Sequence, residues 1–286
     1  MTMVASPPQT LMVVRRPRHD ASVVAARAKR MKLMRLLLGF VVPVASVALW
    51  QTASSTHWID SRLYPSPTDV IRAWQLLWSQ AHLFKDVVYS LRVIVFGFLI
   101  GSMIGLLLGL ATGLSTFVRS SLEPILSALY VVPKLALLPI LLTILGFDEK
   151  PKIALVAITV FFYVWISTME ALTRVAGGHV DAARAFGAGR LATFRHVYLP
   201  AMLPELFVAL RISMGVSVLV TVAAEFIVGS QGVGFKIFNY NQLFLIDRAY
   251  AAIVTVAILG VVLMWIVAVI GRRVAPWQRA EGRTVI

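Results

Sequence analysis

The chain has 286 residues, 59% of them hydrophobic and only 14% charged, against about a quarter charged in an ordinary soluble domain, so it cannot be wetted on all sides. It has no cysteine, which excludes disulfides, thiolate catalysis and Cys-ligated metals. The formal charge of +14 raises nucleic-acid binding as a reading that the placement of the charges has to decide.

Residues 1–32 are polar and basic, with Pro7, Pro8 and Pro17 and no apolar period, and are expected to form a mobile tail. Leu36 to Ile59 has no Asp, Glu, Lys or Arg and exceeds the roughly 20 residues a bilayer crossing needs. Ala53, Ser54 and Ser55 would suit cleavage, but the long basic leader favours an uncleaved first span. A polar connection over 60–90 follows, with an amphipathic helix expected from Val70 to Trp78. Further spans are expected at Val93–Val118, Pro124–Phe147 (broken by Pro133, Lys134 and Pro139), Ile153–Leu172, Leu203–Val228 and Ala249–Gly271. The runs lack period-2 alternation, so helices rather than barrel strands must satisfy the backbone in lipid. The expected fold is all-α, a bundle of about six transmembrane helices over residues 33–275, with a second tail at 276–286.

Six spans place both ends on one side. Arg15, Arg16, Arg18, Arg27, Lys29, Arg30, Lys32 and Arg35 precede the first span, Arg174, Arg184, Arg190 and Arg195 lie between spans four and five, and Arg272, Arg273, Arg279 and Arg283 follow the last. The segments on the opposite side are less basic, with Arg62, Arg72, Lys85, Lys150, Lys152, Lys236 and Arg248 among their charges. Cytoplasmic segments carry the basic excess, so both termini are expected inside the cell's plasma (inner) membrane. Topology explains the net charge, and no nucleic-acid partner is needed.

The segment 177–200 is expected to form two short helices below the membrane. Asp181 suits a helix start, Gly187 a positive-φ turn, and Pro200 the first turn of the next span. Leu191, Phe194 and Tyr198 share a near-helical spacing and one apolar face, flanked by Arg190 and Arg195. Asp181-Ala182-Ala183, then Gly187, then Val197 and Leu199-Pro200 resemble the "EAA" loop of binding-protein-dependent ABC transporter permeases, whose pattern is Glu-Ala-Ala, three residues, Gly, nine residues, Ile, one residue, Leu-Pro. Asp181 stands for the Glu and Val197 for the Ile. Pro65-Ser66-Pro67, Ser90-Leu91-Arg92, Pro133 to Pro139, Ala223-Ala224-Glu225 and Gly232-Val233-Gly234 are similar to the sulfonate/nitrate/taurine branch, so the resemblance covers about 60–275. It implies a coupling helix docked on an ATPase, a second permease copy, two ATPase subunits that bind ATP and Mg, and an extracytoplasmic substrate-binding protein. It also implies a small anionic solute such as a sulfonate, taurine or nitrate.

Three further patterns stand out. Gly97, Gly101, Gly105, Gly109 and Gly113 recur at every fourth position and form a stripe suited to close helix packing, with a role in sliding as the sharper reading. Ser213, Ser217, Thr221 and Glu225 have the same spacing, which fits interhelical hydrogen bonds and the lining of a pathway equally well; Glu225 suits an outer gate or a structural pair. Lys134 falls about 16 Å into its span at 1.5 Å per residue and must meet an anionic solute, pair with a carboxylate or snorkel. The histidines are scattered without metal-ligand spacing, and no phosphate-cradling Gly-Lys-Ser/Thr loop is present. ATP hydrolysis is therefore expected in another chain. An ion-coupled secondary transporter is the rival reading, but no internal repeat supports it, and a membrane enzyme lacks a site.

The topology predicts that a membrane-impermeant thiol reagent applied from outside labels Gln231→Cys and misses Ala188→Cys. The reverse pattern would invert the assignment.

Overall fold

The computed structural model describes residues 21–56, 58–80, 83–175 and 177–277. The rest of the two expected tails, 1–20 and 278–286, lies outside the described residues. The chain divides after Ile59. The described residues of its first unit hold one helix, α1 (Ala21–Ser55), whose stretch Leu37–Ser55 is long and apolar enough to cross a membrane. The helix starts inside the segment read as a tail, because Ala, Arg, Lys and Met, which dominate Ala21–Arg35, are strong helix formers despite their lack of an apolar period.

The second unit is helical throughout its described residues. α2 (Pro67–Gln80) is amphipathic as expected: Val70, Ala73 and Leu77 are buried and Ile71 is exposed. α3 (Leu83–Leu114) outlasts its expected span at the start, where Leu83, Asp86 and Ser90 are buried and hold the extra turns in place. α4 (Thr116–Val131) and α5 (Leu138–Leu145) meet at 87° across a 3₁₀ turn, Lys134–Leu137. Pro133 ends α4 by forcing Val132 into an extended conformation at ψ 130, and Pro139 opens α5, where its missing donor is harmless. α6 (Lys150–Thr173) and the long α9 (Leu199–Val228) complete the centre; α10 (Val233–Gln242) and α11 (Ile246–Val274) follow. No element was expected for α10, which lies in a stretch that reads as a polar connection. Among the described residues five helices are long and apolar enough to span a membrane, and six if α4 and α5 count as one broken span.

The core forms where α3, α6, α9 and α11 meet, around Val93, Phe98, Val160, Met214, Val218 and Leu263. Its closest contact is the glycine stripe of α3 laid on α6. A Cβ on Gly97 would stand 2.6 Å from Val156 Cβ, one on Gly105 2.7 Å from the Phe161 carbonyl oxygen, one on Gly109 2.5 Å from Thr168 Cβ, and one on Gly113 2.6 Å from Leu172 Cδ1. One on Gly101 would run into the Ala157 carbonyl oxygen. The stripe faces one partner over its whole length, and the two backbones approach because no side chain separates them. Trp165, fully buried on α6, seals the contact by donating its Nε1–H to Thr112 Oγ1 at 3.1 Å.

Gly105→Leu should therefore force α3 off α6, whereas Leu107→Phe, at a position 60% exposed, should be tolerated. Overpacking costs about 1–3 kcal/mol or more. The detergent-solubilised protein should lose thermal stability in the first variant only, and equal midpoints for both would contradict the packing.

Candidate functional site

The loop between α6 and α9 opens with α7 (Gly177–Ala185). Its first turn seats Val180, 7% exposed, against the bundle, so the helix starts earlier than the sequence pattern indicates. Asp181 then lies mid-helix and exposed beside Ala182, too far along to cap, and Ala183 is half-buried. The C-terminus is a Schellman motif: Gly187 N–H donates to Arg184 O at 2.9 Å and Ala188 N–H to Ala183 O at 3.0 Å. Gly187 has φ +81, and nothing lies within 4 Å of a Cβ built there. The backbone conformation, not space, requires the glycine. The turn leaves Phe186 at its tip, 92% exposed.

After the turn, α8 (Arg190–Thr193), a π-helical segment (Phe194–Tyr198) and α9 run on as one helical span, Arg190–Val228. The expected separate second helix is thus corrected. Pro200 cannot donate and would break an ordinary ladder; the π turn absorbs this, with Leu199 N–H bonding Phe194 O. Continuity also splits the expected apolar face. Leu191 is 79% exposed, Phe194 is half-buried, and Tyr198 and Leu199 pack on the central core. Pro200 is half-buried, and Arg190 and Arg195 are exposed. The apolar surface offered to water is therefore Phe186 with Leu191. Phe186 was missed as a site residue; its signal is a large aromatic immediately before the turn glycine in a polar segment. Beside the loop, Leu114, Ser115 and Thr116 of the α3–α4 turn line a cavity of about 850 Å³ with Arg184, Arg190, Thr193 and Tyr198. Arg174, at the end of α6, bridges Glu170 at 2.7 Å and Glu205 of α9 at 2.5 Å.

The polar stripe of α9 is turned into the chain. Ser213, Ser217, Thr221 and Glu225 are all 0% exposed. The three hydroxyls donate to carbonyls of their own helix, at Ala209 (2.8 Å), Met214 (2.7 Å) and Ser217 (2.8 Å). They satisfy themselves locally and line none of the cavities described here, so they are internal to this chain. Glu225 is bound by Ser90 and by the start of α10. Arg92, which the sequence suggests reaches headgroups, pairs with Glu149 at 3.1 Å.

Lys134 sits in the bend between α4 and α5. Its ammonium donates to the Tyr130 carbonyl oxygen and lies 4.5 Å from the Tyr130 ring centroid and 4.9 Å from that of Phe162. With Leu129, Val132, Leu137 and Ile158 it lines a cavity of about 210 Å³. Among the described residues no carboxylate forms an ion pair with it. The charge is held by π faces and a carbonyl, which attract it without neutralising it.

The helical architecture is that of an ABC transporter's membrane subunit. A chain from an inward-facing MetNI methionine ABC transporter superposes with TM-score 0.57 at 22% identity, covering 71% of this chain and 97% of that one. A chain from a bacterial ABC transporter involved in import of the acidic polysaccharide alginate does so with TM-score 0.59 at 16% identity, covering 88% and 96%. Residues 101–276 match the family described as binding-protein-dependent transport system inner membrane component, and the chain belongs to it as a multi-pass permease subunit of an ABC importer. Among its relatives, SsuC of Escherichia coli strain K12, named an aliphatic sulfonates transport permease protein, is 37% identical over 228 residues, 80% of this chain and 86% of that protein. The taurine transport system permease protein TauC of the same strain is 30% identical over 237 residues, 81% and 86%. The nitrate import permease protein NrtB of Leptolyngbya laminosa is 32% identical over 194 residues, 68% and 70%.

Gly187→Ala should strain the Schellman turn by about 1–2 kcal/mol, the cost of a Cβ in the left-handed region. Amide hydrogen exchange at positions 187 and 188 should speed up by about fivefold or more, while exchange in α6 stays unchanged; unchanged exchange at the turn would mean that the glycine is dispensable.

Proposed function

We propose that this permease works as one of two identical copies, with two ATPase subunits that bind ATP and Mg²⁺ beneath it and an extracytoplasmic binding protein that delivers the solute. Both termini and the loop 177–200 lie on the cytoplasmic side, in keeping with the basic residues there. The observation that carries this reading is the loop itself. It falls within the family match, and a rigid turn at Gly187 offers Phe186 and Leu191 to water at the foot of a continuous helix that enters the core. An apolar side chain in a partner's cleft is the sort of anchor that dominates an interface, while Arg184, Arg190 and Arg195 on the rim contribute little each. Because Arg190 to Val228 is one helical span, a push on the loop displaces α9 directly. Asp181, Ala182 and Ala183 act in α7, which carries the turn and sets its height.

The solute is a small anion of the kind named for the relatives, a sulfonate, taurine or nitrate. Lys134 supports this: a cation within an apolar span, with no carboxylate ion pair among the described residues, has charge to spare for a passing anion. Hydrolysis of ATP belongs to the partner subunits, and this chain supplies the pathway.

Phe186→Asp should weaken copurification of the ATPase subunits by about tenfold or more and abolish solute-stimulated ATP hydrolysis. The permease's helical content and thermal midpoint should not change, because the side chain is 92% exposed. Undiminished ATPase binding and transport would remove the loop from the coupling route. Separately, Lys134→Ala should reduce uptake in proteoliposomes with the complex still assembled, and Lys134→Arg should restore part of it; normal uptake by the alanine variant would take Lys134 off the solute path.

A further inference from the structure

At the end of α9 away from the coupling loop, α10 begins, and its first N–H groups need acceptors that its own helix cannot supply. Three consecutive ones find them on other helices. Gly232 N–H donates to Asp86 Oδ1 at 2.9 Å, Val233 N–H to Ser90 Oγ at 3.0 Å, and Gly234 N–H to Glu225 Oε2 at 2.7 Å. The Ser90 hydroxyl donates to Glu225 Oε1 at 2.8 Å, and Lys236 Nζ lies 3.7 Å from Asp86 Oδ2. Lys152, 2% exposed, donates to the Tyr89 hydroxyl at 3.0 Å. Two carboxylates from α3 and α9 thus cap α10, at the helix end that favours negative charge.

The chain is shaped around this cap. Gly232 has φ +102, and a Cβ on it would run into the Glu225 carboxyl; one on Gly234 would stand 2.8 Å from Glu225 Oε2. On the apolar side, Val233 and Ile237 of α10 pack with Ala252, Val87, Val222 and Val256. Lifting α10 away would strand three buried N–H groups and two carboxylates, each a costly orphan away from water. The α4–α5 pair is held differently: α4 has no fully buried side chain and meets α6 through Leu126 and the Tyr130–Phe162 ring contact, α5 rests on Leu155 and Ala224 through Leu138 and Leu142, and the pair turns through 87° at a proline.

We propose that Asp86, Ser90 and Glu225 are positioning residues that lock α10 onto α3 and α9 throughout the transport cycle, so that the pathway opens by movement of α4 and α5 and not by release of α10. This holds whichever solute is carried and however the ATPases dock.

The chain has no cysteine, so spin labels can be placed singly. In nanodisc-embedded complexes containing the ATPases, assembled with excess unlabelled permease so that one copy carries labels, one pair reports α3–α10 (Lys85→Cys with Phe238→Cys) and the other α3–α5 (Lys85→Cys with Ile144→Cys). These positions are exposed. Between the nucleotide-free and vanadate-trapped states the α3–α10 distance should shift by less than about 2 Å and the α3–α5 distance by about 5 Å, the scale of a helix moving by one turn. Glu225→Ala should broaden the α3–α10 distribution, and Glu225→Gln, which keeps an acceptor for Gly234 N–H, should leave it narrow. A large α3–α10 shift in the unmodified clamp, no shift at either pair, or a narrow α3–α10 distribution in Glu225→Ala overturns the proposal. Loss of ATPase binding by Phe186→Asp, which concerns the other end of α9, is read independently.

Discussion

The helical unit that follows Ile59 hangs on the backbone contact between α3 and α6. In lipid, apolar side chains gain little by leaving one hydrocarbon environment for another, so helices associate through close packing and through polar groups with nowhere else to go. The glycine stripe meets the first condition along the second half of α3, from Gly97 against Val156 to Gly113 against Leu172. The Trp165–Thr112 hydrogen bond meets the second. With α3 and α6 fixed, α9 has a surface to lie on, and the chain acquires two worked ends: the coupling loop at one and the Glu225 cap at the other.

The two ends are built on opposite principles. At the loop, a positive-φ glycine with open space around it projects an aromatic side chain into water, where only a partner can bury it. At the cap, glycines crowded against a carboxylate draw the backbone of α10 inward, and its first three N–H groups find acceptors. A permease pushed from one side, as proposed above, needs both. The loop must be accessible to what pushes it, and the far end must be stiff enough for the push to appear as movement in the pathway rather than as loosening of the bundle.

Much of this was legible in the sequence, wherever the signal was periodic or local. The long apolar runs, the four-residue glycine period and the prolines around Lys134 each point to the element that the structure contains, and Gly187 to the turn between α7 and α8. What escaped depended on contacts between distant residues or on competition between local preferences. The partners of Glu225 come from Ser90, 135 positions away, and from a helix N-terminus in a stretch that reads as loop. The serine stripe read equally as interhelical hydrogen bonding and as a pathway lining because spacing shows only that the hydroxyls share a face; their bonds to their own helix carbonyls depend on rotamers. Pro200 read as a helix start, yet the chain runs through it, because a π turn accommodates the missing donor. That continuity moves Tyr198 to the core and makes Phe186, not Phe194, the exposed aromatic of the loop.

The central claim is that the tip of this loop is where the force generated by ATP enters the membrane subunit. A photo-crosslinking amino acid placed at position 186 in the assembled transporter tests it most directly. The account predicts that irradiation joins the permease to the ATPase subunit, at a yield that changes between the nucleotide-free and ATP-bound states. Crosslinks confined to lipid or to the permease itself, in both states, would contradict it.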